Sequence, residues 1–397
     1  MFLNSNKKII LFLISCIFPL EYGLDVFFNK DLSIYSKSRV AVLANSSSLN
    51  KNFENTVDLI LNHKDLNLVK IFSPEHGFYA NHSAGAFVNN EKFDDVDIIS
   101  LYGDSKKPKI KDLENIDLLI IDIQDIGSTY YTYISTVTYL LDAAGYLNIN
   151  VLIFDRPNPV GRSVFGPVKK NFNFIGLHPI PIRHGMTLGE LCVMINQEGW
   201  IENNVKNLNI IKMQNLNQFD EVNHWEAPSP NIPDVETAFI YTGFCLFEAT
   251  NISEGRGTDN PFKIIGAPWI NSKELINFIQ SSKFKKYKNK ILVKEIEFLP
   301  KSKSGSENPK YKNQICKGVF INIDKSVEPL EIAMYLIEYF YKNYEEFKLN
   351  ENFLDILYGS KDFRKCLEKK CDLDSIFKSI EIDTTKFIKL REKYLLY

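Results

Sequence analysis

From residue 39 onward, short runs rich in β-branched and aliphatic residues alternate with longer stretches whose apolar positions recur every three or four residues. The runs fall at 40–44, 68–72, 96–100, 118–122 and 151–155, and several are apolar at consecutive positions. Strands of that kind are buried on both faces, as in a parallel sheet covered by helices. Helices are expected between them over 55–63 and 130–144. A third opens after Thr187, where Glu190 completes a capping box, and ends near Gly199. The alternation predicts an α/β, Rossmann-like doubly wound domain over residues 24–236.

Past residue 236 the pattern changes. A stretch containing Gly and Pro runs from 243 to 269. A helix is expected near 272–282, strands over 291–298 and 318–323, and a strong helix over 328–344 followed by helical segments to the terminus. These features predict a smaller α+β domain over 237–397, sharing a cleft with the first, and 301–312 as an exposed loop. A length of 397 residues agrees with two domains.

Hydrophobic residues at 45% and charged residues at 24% are ordinary for a water-soluble chain. Forty-seven basic against 49 acidic residues give a net charge of -2, which removes the electrostatic case for a nucleic-acid partner. The N-terminus is different. Lys7 and Lys8 precede an apolar run over 9–20 broken only by Ser15, Cys16 and Pro19. The run is shorter than the ~20 residues of a spanning helix, so residues 1–20 are expected to be an export signal. LISC at 13–16 resembles a lipoprotein cleavage box, which makes Cys16 a candidate lipid anchor. Ile17, Phe18 and Pro19 depart from the polar residues usual there, and simple cleavage nearer Leu20 is the alternative. The chain is thus expected in the periplasm or as a membrane-anchored lipoprotein. Cys192, Cys245, Cys316, Cys366 and Cys371 are odd in number and scattered, so neither a zinc ribbon nor a disulfide scaffold is expected.

Open α/β sheets bind ligands beyond the carboxyl ends of their strands. Four polar clusters follow strands here: NSSS at 45–48, SPEHGF at 73–78, DIQDIG at 122–127 and DRPNP at 155–159. Glu75, between Pro74 and His76 and near Phe72 and Phe78, is placed for partial desolvation and a general-acid role, against the alternative of a turn cap. His76 is a structural hydrogen-bonder unless its ring faces the crevice. Asp122, Gln124 and Asp125 form a second group, although an Asp at a strand end often caps the next helix. Tyr130 and Tyr133, three apart, would share a helix face and line a sugar-binding wall or else be core, while Tyr131, facing away from them, would be core. Arg156, beside Asn158, and Arg183, beside His184, suit bidentate capture of a carboxylate, or else ion pairs with Asp155 or Glu190. Glu248, Asn251, Glu254 and Arg256 crowd the domain junction near Gly255 and Gly257, where a ligand or a hinge would use the same glycines. No GxGxxG, Walker A, HExxH or GxSxG motif occurs, which weighs against dinucleotide and serine-esterase chemistry, and no cofactor is implied.

FSPEHGF (72–78), DIQDIG (122–127) with YTYIS (131–135), DRPNP (155–159), RHGMTLGEL (183–191), PSPNIP (228–233), NISEGRG (251–257), GAPW (266–269) and the closing REKYLLY (391–397) together resemble the NamZ-type exo-β-N-acetylmuramidase family. The resemblance covers nearly everything after Gly23. It implies a Rossmann-like domain and a smaller C-terminal domain flanking the active site. The implied reaction is hydrolytic release of N-acetylmuramic acid from the non-reducing end of peptidoglycan fragments, with Glu75 as the leading catalytic carboxylate. The second group would be Asp125, Glu254, Asp122 or Glu248, in that order, or the 2-acetamido group of the substrate itself. Arg156, Asn158, Arg183, His184, Asn251 and Arg256 would bind the acetamido and lactyl groups. Two other classes stay open: a metal-dependent hydrolase using Asp122, Asp125, His76 and His184, and a non-catalytic exported receptor for cell-wall sugars.

Overall fold

The computed structural model describes residues 19–83, 86, 91–103, 106–216 and 225–397. Its main sheet is built from β1 (Arg39–Leu43), β2 (Asn67–Ser73), β3 (Glu91–Phe93), β4 (Val96–Ser100), β5 (Leu118–Ile121) and β6 (Asn150–Phe154). β7 (Phe165–Val168) and β8 (Pro181–Arg183) pair as a separate hairpin, and β9 (Leu208–Ile211) returns to the sheet. The order across the sheet is β3-β4-β2-β1-β5-β6-β9, parallel throughout except for β3 against β4. Without the edge strand β3 this is a doubly wound order whose winding reverses between β1 and β5, and the crevice at such a reversal receives ligands.

Alternation along the strands fills both faces. Val40 and Val42 of β1 pack with Leu24 and Phe27 of α1 (Gly23–Phe28) and Val57 and Ile60 of α2 (Thr56–Leu61). Ala41 and Leu43 face the opposite side. They share a core with the short α3 (Ile110–Leu113), with Val137, Leu140 and Leu141 of α4 (Tyr133–Leu147), and with Leu191 and Ile195 of α5 (Leu188–Gln197). Thr187 and Glu190 form the expected capping box of α5.

The second core is continuous with the smaller domain. Phe239, Ile240 and Phe244 of α6 (Val235–Phe244) meet a three-stranded antiparallel sheet, β10 (Ile264–Ala267), β12 (Cys316–Ile323) and β11 (Ile291–Phe298) in that order, with α7 (Ser272–Ile279) and α8 (Pro329–Asn343). A Cβ on Gly243 would lie 2.2 Å from the Pro329 carbonyl carbon, so glycine is what lets α6 and α8 pack at this distance. Truncating a fully buried side chain such as Phe340 should cost ~3–5 kcal/mol and loosen both domains together. α9 (Glu351–Tyr358), α10 (Asp362–Lys369) and α11 (Leu373–Arg391) carry the chain back to the β7–β8 hairpin.

All five strand runs expected in the first domain are present. The strands not anticipated, β3, β7, β8, β9 and β10, are three or four residues long and carry no clear alternation. The helix expected over 130–144 starts at Tyr133, because residues before it are held in a turn by Thr129 N donating to Ile182 O at 2.8 Å and Tyr131 N to Ser128 O at 2.9 Å. The cysteine expectation is corrected. Cys366 and Cys371 are disulfide-bonded, because Lys370, left-handed at φ 54°, turns the end of α10 so that the two Cα atoms come within 5.0 Å. Cys192, Cys245 and Cys316 are free and buried. The export signal and Cys16 lie outside the described residues; among those described, no helix is long and apolar enough to cross a membrane.

Candidate active site

A pocket opens where the segments after β2, β4 and β5 meet α6, its continuation over 245–262, and α9. Glu75, Tyr102, Tyr130, Tyr131 and Thr132 line one side. Tyr241, Glu248, Arg256, Phe262 and Phe353 line the other. Glu75 reaches it because Pro74 closes β2, and His76 (φ 73°) and Gly77 (φ 76°) both turn left-handed immediately after it. Such a conformation is costly for a residue bearing a Cβ, and the His76 ring helps hold it: Nδ1 lies 2.7 Å from the His82 carbonyl oxygen, to which it donates. Burial lowers the His76 pKa although the neighbouring Glu75 charge opposes it, so the ring is neutral.

The Glu75 carboxylate is fixed from two sides. Thr132 Oγ1 donates to Oε2 at 2.5 Å. The Tyr102 phenol hydrogen-bonds the same side chain, and burial together with that carboxylate raises the phenol's pKa, keeping it a donor. Across the pocket, Arg256 Nη2 donates to Glu248 Oε1 at 2.7 Å and Nε lies 3.5 Å from Glu254 Oε1. Burial alone would discharge Arg256, but Glu248 and Glu254 outweigh it and raise the pKa. Burial would likewise raise Glu254; Lys310, at 2.8 Å, and Arg256 hold it below the usual range, so it is an ionised support behind the pocket wall. Lys310 belongs to the loop expected to be exposed. Most of it is, yet Gly305 and Ser306 are buried and it touches the first domain, with Ser304 Oγ donating to Asn81 O at 2.7 Å and Asn231 Nδ2 to Gly305 O at 2.8 Å.

Of the residues singled out from sequence, Glu75, His76, Tyr130, Glu248 and Arg256 line this pocket. Others hold the scaffold. Asp122 and Arg156 form a fully buried fork-to-fork pair, Nε to Oδ1 at 2.5 Å and Nη2 to Oδ2 at 2.9 Å. Arg183 pairs with Glu328 at 2.8 Å, joining β8 to the start of α8. The ion-pair alternative therefore applies to both arginines, with partners other than Asp155 and Glu190. Gln124 donates to the carbonyls of Asp125 and Pro157, Asn158 to that of Met186 and Asn251 to that of Glu346. His184 is buried with its pKa lowered to about 3 by burial and by Arg391. Asp125 accepts from Gly127 N at 2.7 Å while its Oδ2 is buried without a hydrogen bond, and burial raises its pKa to about 7. It does not line the pocket.

Tyr133 takes the core alternative, and the expectation that Tyr131 is core is corrected. Because α4 starts at Tyr133, that ring points into the core, donating to Pro228 O at 2.5 Å, while Tyr131 lines the pocket with Tyr130. Among the described residues, no group of three or more His, Cys, Asp or Glu side chains is placed to hold a metal ion. Asp122 is already saturated by Arg156 and Thr56, which leaves the metal-hydrolase reading without its donor set.

The N-terminal model of the exo-β-N-acetylmuramidase NamZ family matches residues 40–236, and its C-terminal model matches 239–397. The chain belongs to this family. The peptidoglycan β-N-acetylmuramidase NamZ of Bacillus subtilis is 34% identical over 372 residues, which is 90% of this chain and 87% of that one. Two crystal structures of DUF1343 family proteins from Bacteroides fragilis superpose with TM-scores of 0.83 and 0.77 at 26% and 31% identity, covering 95% and 96% of this chain and 99% of each of those. Membership of the NamZ family makes the chain a glycoside hydrolase. Among the pocket residues that sequence reasoning passed over, Tyr102, Tyr241, Phe262 and Phe353 stood in no recognised motif, whereas Thr132 stood in YTYIS and Ser229, Asn231 and Ile232 in PSPNIP.

Proposed function

We propose that this chain is an exported exo-β-N-acetylmuramidase that releases N-acetylmuramic acid from the non-reducing end of peptidoglycan fragments, with Glu75 as the proton donor to the glycosidic oxygen. The observation that carries the assignment is the Glu75 carboxyl held by Thr132 and Tyr102 at the wall of a pocket whose opposite wall presents Arg256. A carboxyl with fixed donors keeps one orientation, which is what proton delivery to a bound oxygen needs. Arg256 supplies the cation for the lactyl carboxylate that separates muramic acid from glucosamine. Glu248 is the other carboxylate lining the pocket, and we assign it, ahead of Asp125 and Glu254, to the attacking water or the 2-acetamido group. The Cys366–Cys371 disulfide favours an oxidising compartment and hence export.

The test is hydrolysis of a chromogenic β-N-acetylmuraminide, with the β-N-acetylglucosaminide as control, by the wild type and Glu75→Gln, each with and without chelator. Turnover of the muraminide alone, lost in Glu75→Gln and indifferent to chelator, is the expected result. A folded wild type that binds the sugar without turning it over overturns the assignment and leaves a receptor.

A further inference from the structure

The PSPNIP segment at 228–233 forms part of the pocket wall: Ser229, Asn231 and Ile232 line the same pocket as Glu75. Three prolines stiffen the segment, and the first domain pins it at both ends. Tyr133 Oη and Asn45 Nδ2 donate to the Pro228 carbonyl, and Trp225 Nε1 donates to that of Ile232 at 3.2 Å. Asn231, only 7% exposed, is fixed from the second domain. There Lys303 and Ser306 close a turn, each N–H donating to the other's carbonyl, at 3.1 and 2.9 Å, and the turn presents Gly305 O to Asn231 Nδ2 at 2.8 Å. Gly305 adopts φ 78° and lies flat on Pro230, where a Cβ would come 2.2 Å from the Pro230 Cβ. The same turn reaches the loop after Glu75, since Ser304 Oγ donates to Asn81 O and Asn81 N donates to His76 O at 3.2 Å.

An amide with one end engaged has its other end defined. Asn231 Nδ2 faces Gly305, which does not line the pocket, so Oδ1 is the end left for a ligand. That oxygen accepts from no group among the described residues, and it is not sealed from solvent. A neutral amide oxygen selects a neutral N–H or O–H over an anion. Because the amide is already held, little side-chain freedom is lost when a ligand meets it. We propose that Asn231 is a substrate-binding residue whose Oδ1 accepts a hydrogen bond from a neutral donor of the terminal sugar, and that the Gly305 turn of the second domain aims it. On a terminal N-acetylmuramic acid the donors are the acetamido N–H and the 4- and 6-hydroxyls, the oxygen at C3 being the lactyl ether. Arg256 thus takes the charged group and Asn231 a neutral one. The inference rests on the muramidase assignment and concerns the same site.

The experiment measures KM and kcat for a chromogenic β-N-acetylmuraminide and for three analogues that each lack one donor: the 4-deoxy, the 6-deoxy and the N-methylated acetamide. The enzymes are the full chain, Asn231→Ala and Asn231→Ser, the last retaining a polar group beside the Gly305 carbonyl. In the wild type at least one analogue is expected to show a KM about three- to tenfold above that of the parent, as one neutral hydrogen bond would give. Asn231→Ala should raise KM for the parent by a similar factor and keep kcat within about twofold. For the analogue lacking the donor that Asn231 binds, the substitution should add no further loss, while it still penalises the other two; that analogue identifies the donor. An equal loss on the parent and all three analogues would be the mark of a displaced wall and overturns the proposal, as does an unchanged KM for the parent. The wild-type series is independent of how the variants fold, and three analogues with the KM of the parent overturn the proposal by themselves. Failure of the underlying assignment looks different, because then the parent muraminide is not cleaved.

Discussion

Thr132 Oγ1 lies 2.5 Å from Glu75 Oε2, and both residues are buried. The contact joins the left-handed turn after β2 to the turn that leads into α4, so the orientation of the proposed acid is set by a segment that follows a different strand. A hydrogen bond to a carboxylate in such a place is worth ~1.5–3 kcal/mol. Thr132→Val keeps the shape and removes the donor. It should lower kcat about ten- to a hundredfold with KM nearly unchanged, and Thr132→Ser should recover most of the loss. A Thr132→Val enzyme with wild-type kcat would show that the contact does not position Glu75.

Arg256 governs specificity in the proposed function. Its fork is shared with Glu248 and Glu254, so Arg256→Lys keeps a cation between two carboxylates and loses the planar geometry. The variant should fold, and its preference for a muraminide over a glucosaminide should fall roughly tenfold, through KM for the muraminide. Unchanged discrimination would remove Arg256 from lactyl recognition.

Asp125 predicts how stability varies with pH. Burial raises its pKa from 3.8 to about 7, so the folded state keeps a proton that the unfolded state has released. Below about pH 4 both states are protonated and the group costs nothing. Between about pH 4 and 7 stability falls as pH rises, by up to ~4 kcal/mol, and levels off above. Asp125→Asn removes the ionisation, so its stability relative to wild type should climb across that window in urea titrations. A difference independent of pH would show that Asp125 ionises at its ordinary value in the folded protein.

The parts of this molecule legible in the sequence are those specified by a few adjacent residues. β1, β2, β4, β5 and β6 announce themselves by consecutive apolar positions, and Thr187 with Glu190 announces α5. Glu75 was legible for the same reason, since one heptapeptide contains the strand end, the proline and the left-handed turn that expose it. The opposite wall was not. Whether Asp122 faces a ligand or Arg156 depends on two loops meeting after different strands, and whether Tyr131 or Tyr133 lines the pocket depends on where α4 begins, which the Thr129–Ile182 contact with β8 decides. Tyr102 and Phe353 sit in stretches with no pattern to distinguish them, and only the packing of the second domain on the first gives them a role.

The chain terminus supplies a prediction remote from the pocket. Tyr397 Oη donates to Asp155 Oδ2 at 3.0 Å and accepts from Met213 N at 2.8 Å, Leu396 N reaches Glu190 Oε1 at 2.9 Å, and Arg391 Nη1 donates to the carbonyls of Arg162, His184 and Gly185. The last residues thus latch the second domain onto the strand end of the first. Burial raises the Asp155 pKa to about 6, while Gly189 N, Thr187 and Tyr397 hold it down. Tyr397→Phe removes one of those donors, so the folded-state pKa should rise further. Below about pH 4 Asp155 is protonated in both states, and the variant loses a bond to a neutral acid, ~1 kcal/mol. Above pH 7 the bond lost is to a carboxylate, and the cost should reach ~2–3 kcal/mol. Chemical denaturation at pH 4.5 and pH 8 measures the difference. Because neither Tyr397 nor Asp155 lines the pocket, kcat per folded molecule should stay at the wild-type value. An equal loss at both pH values would mean that Tyr397 acts through packing and its Met213 contact alone.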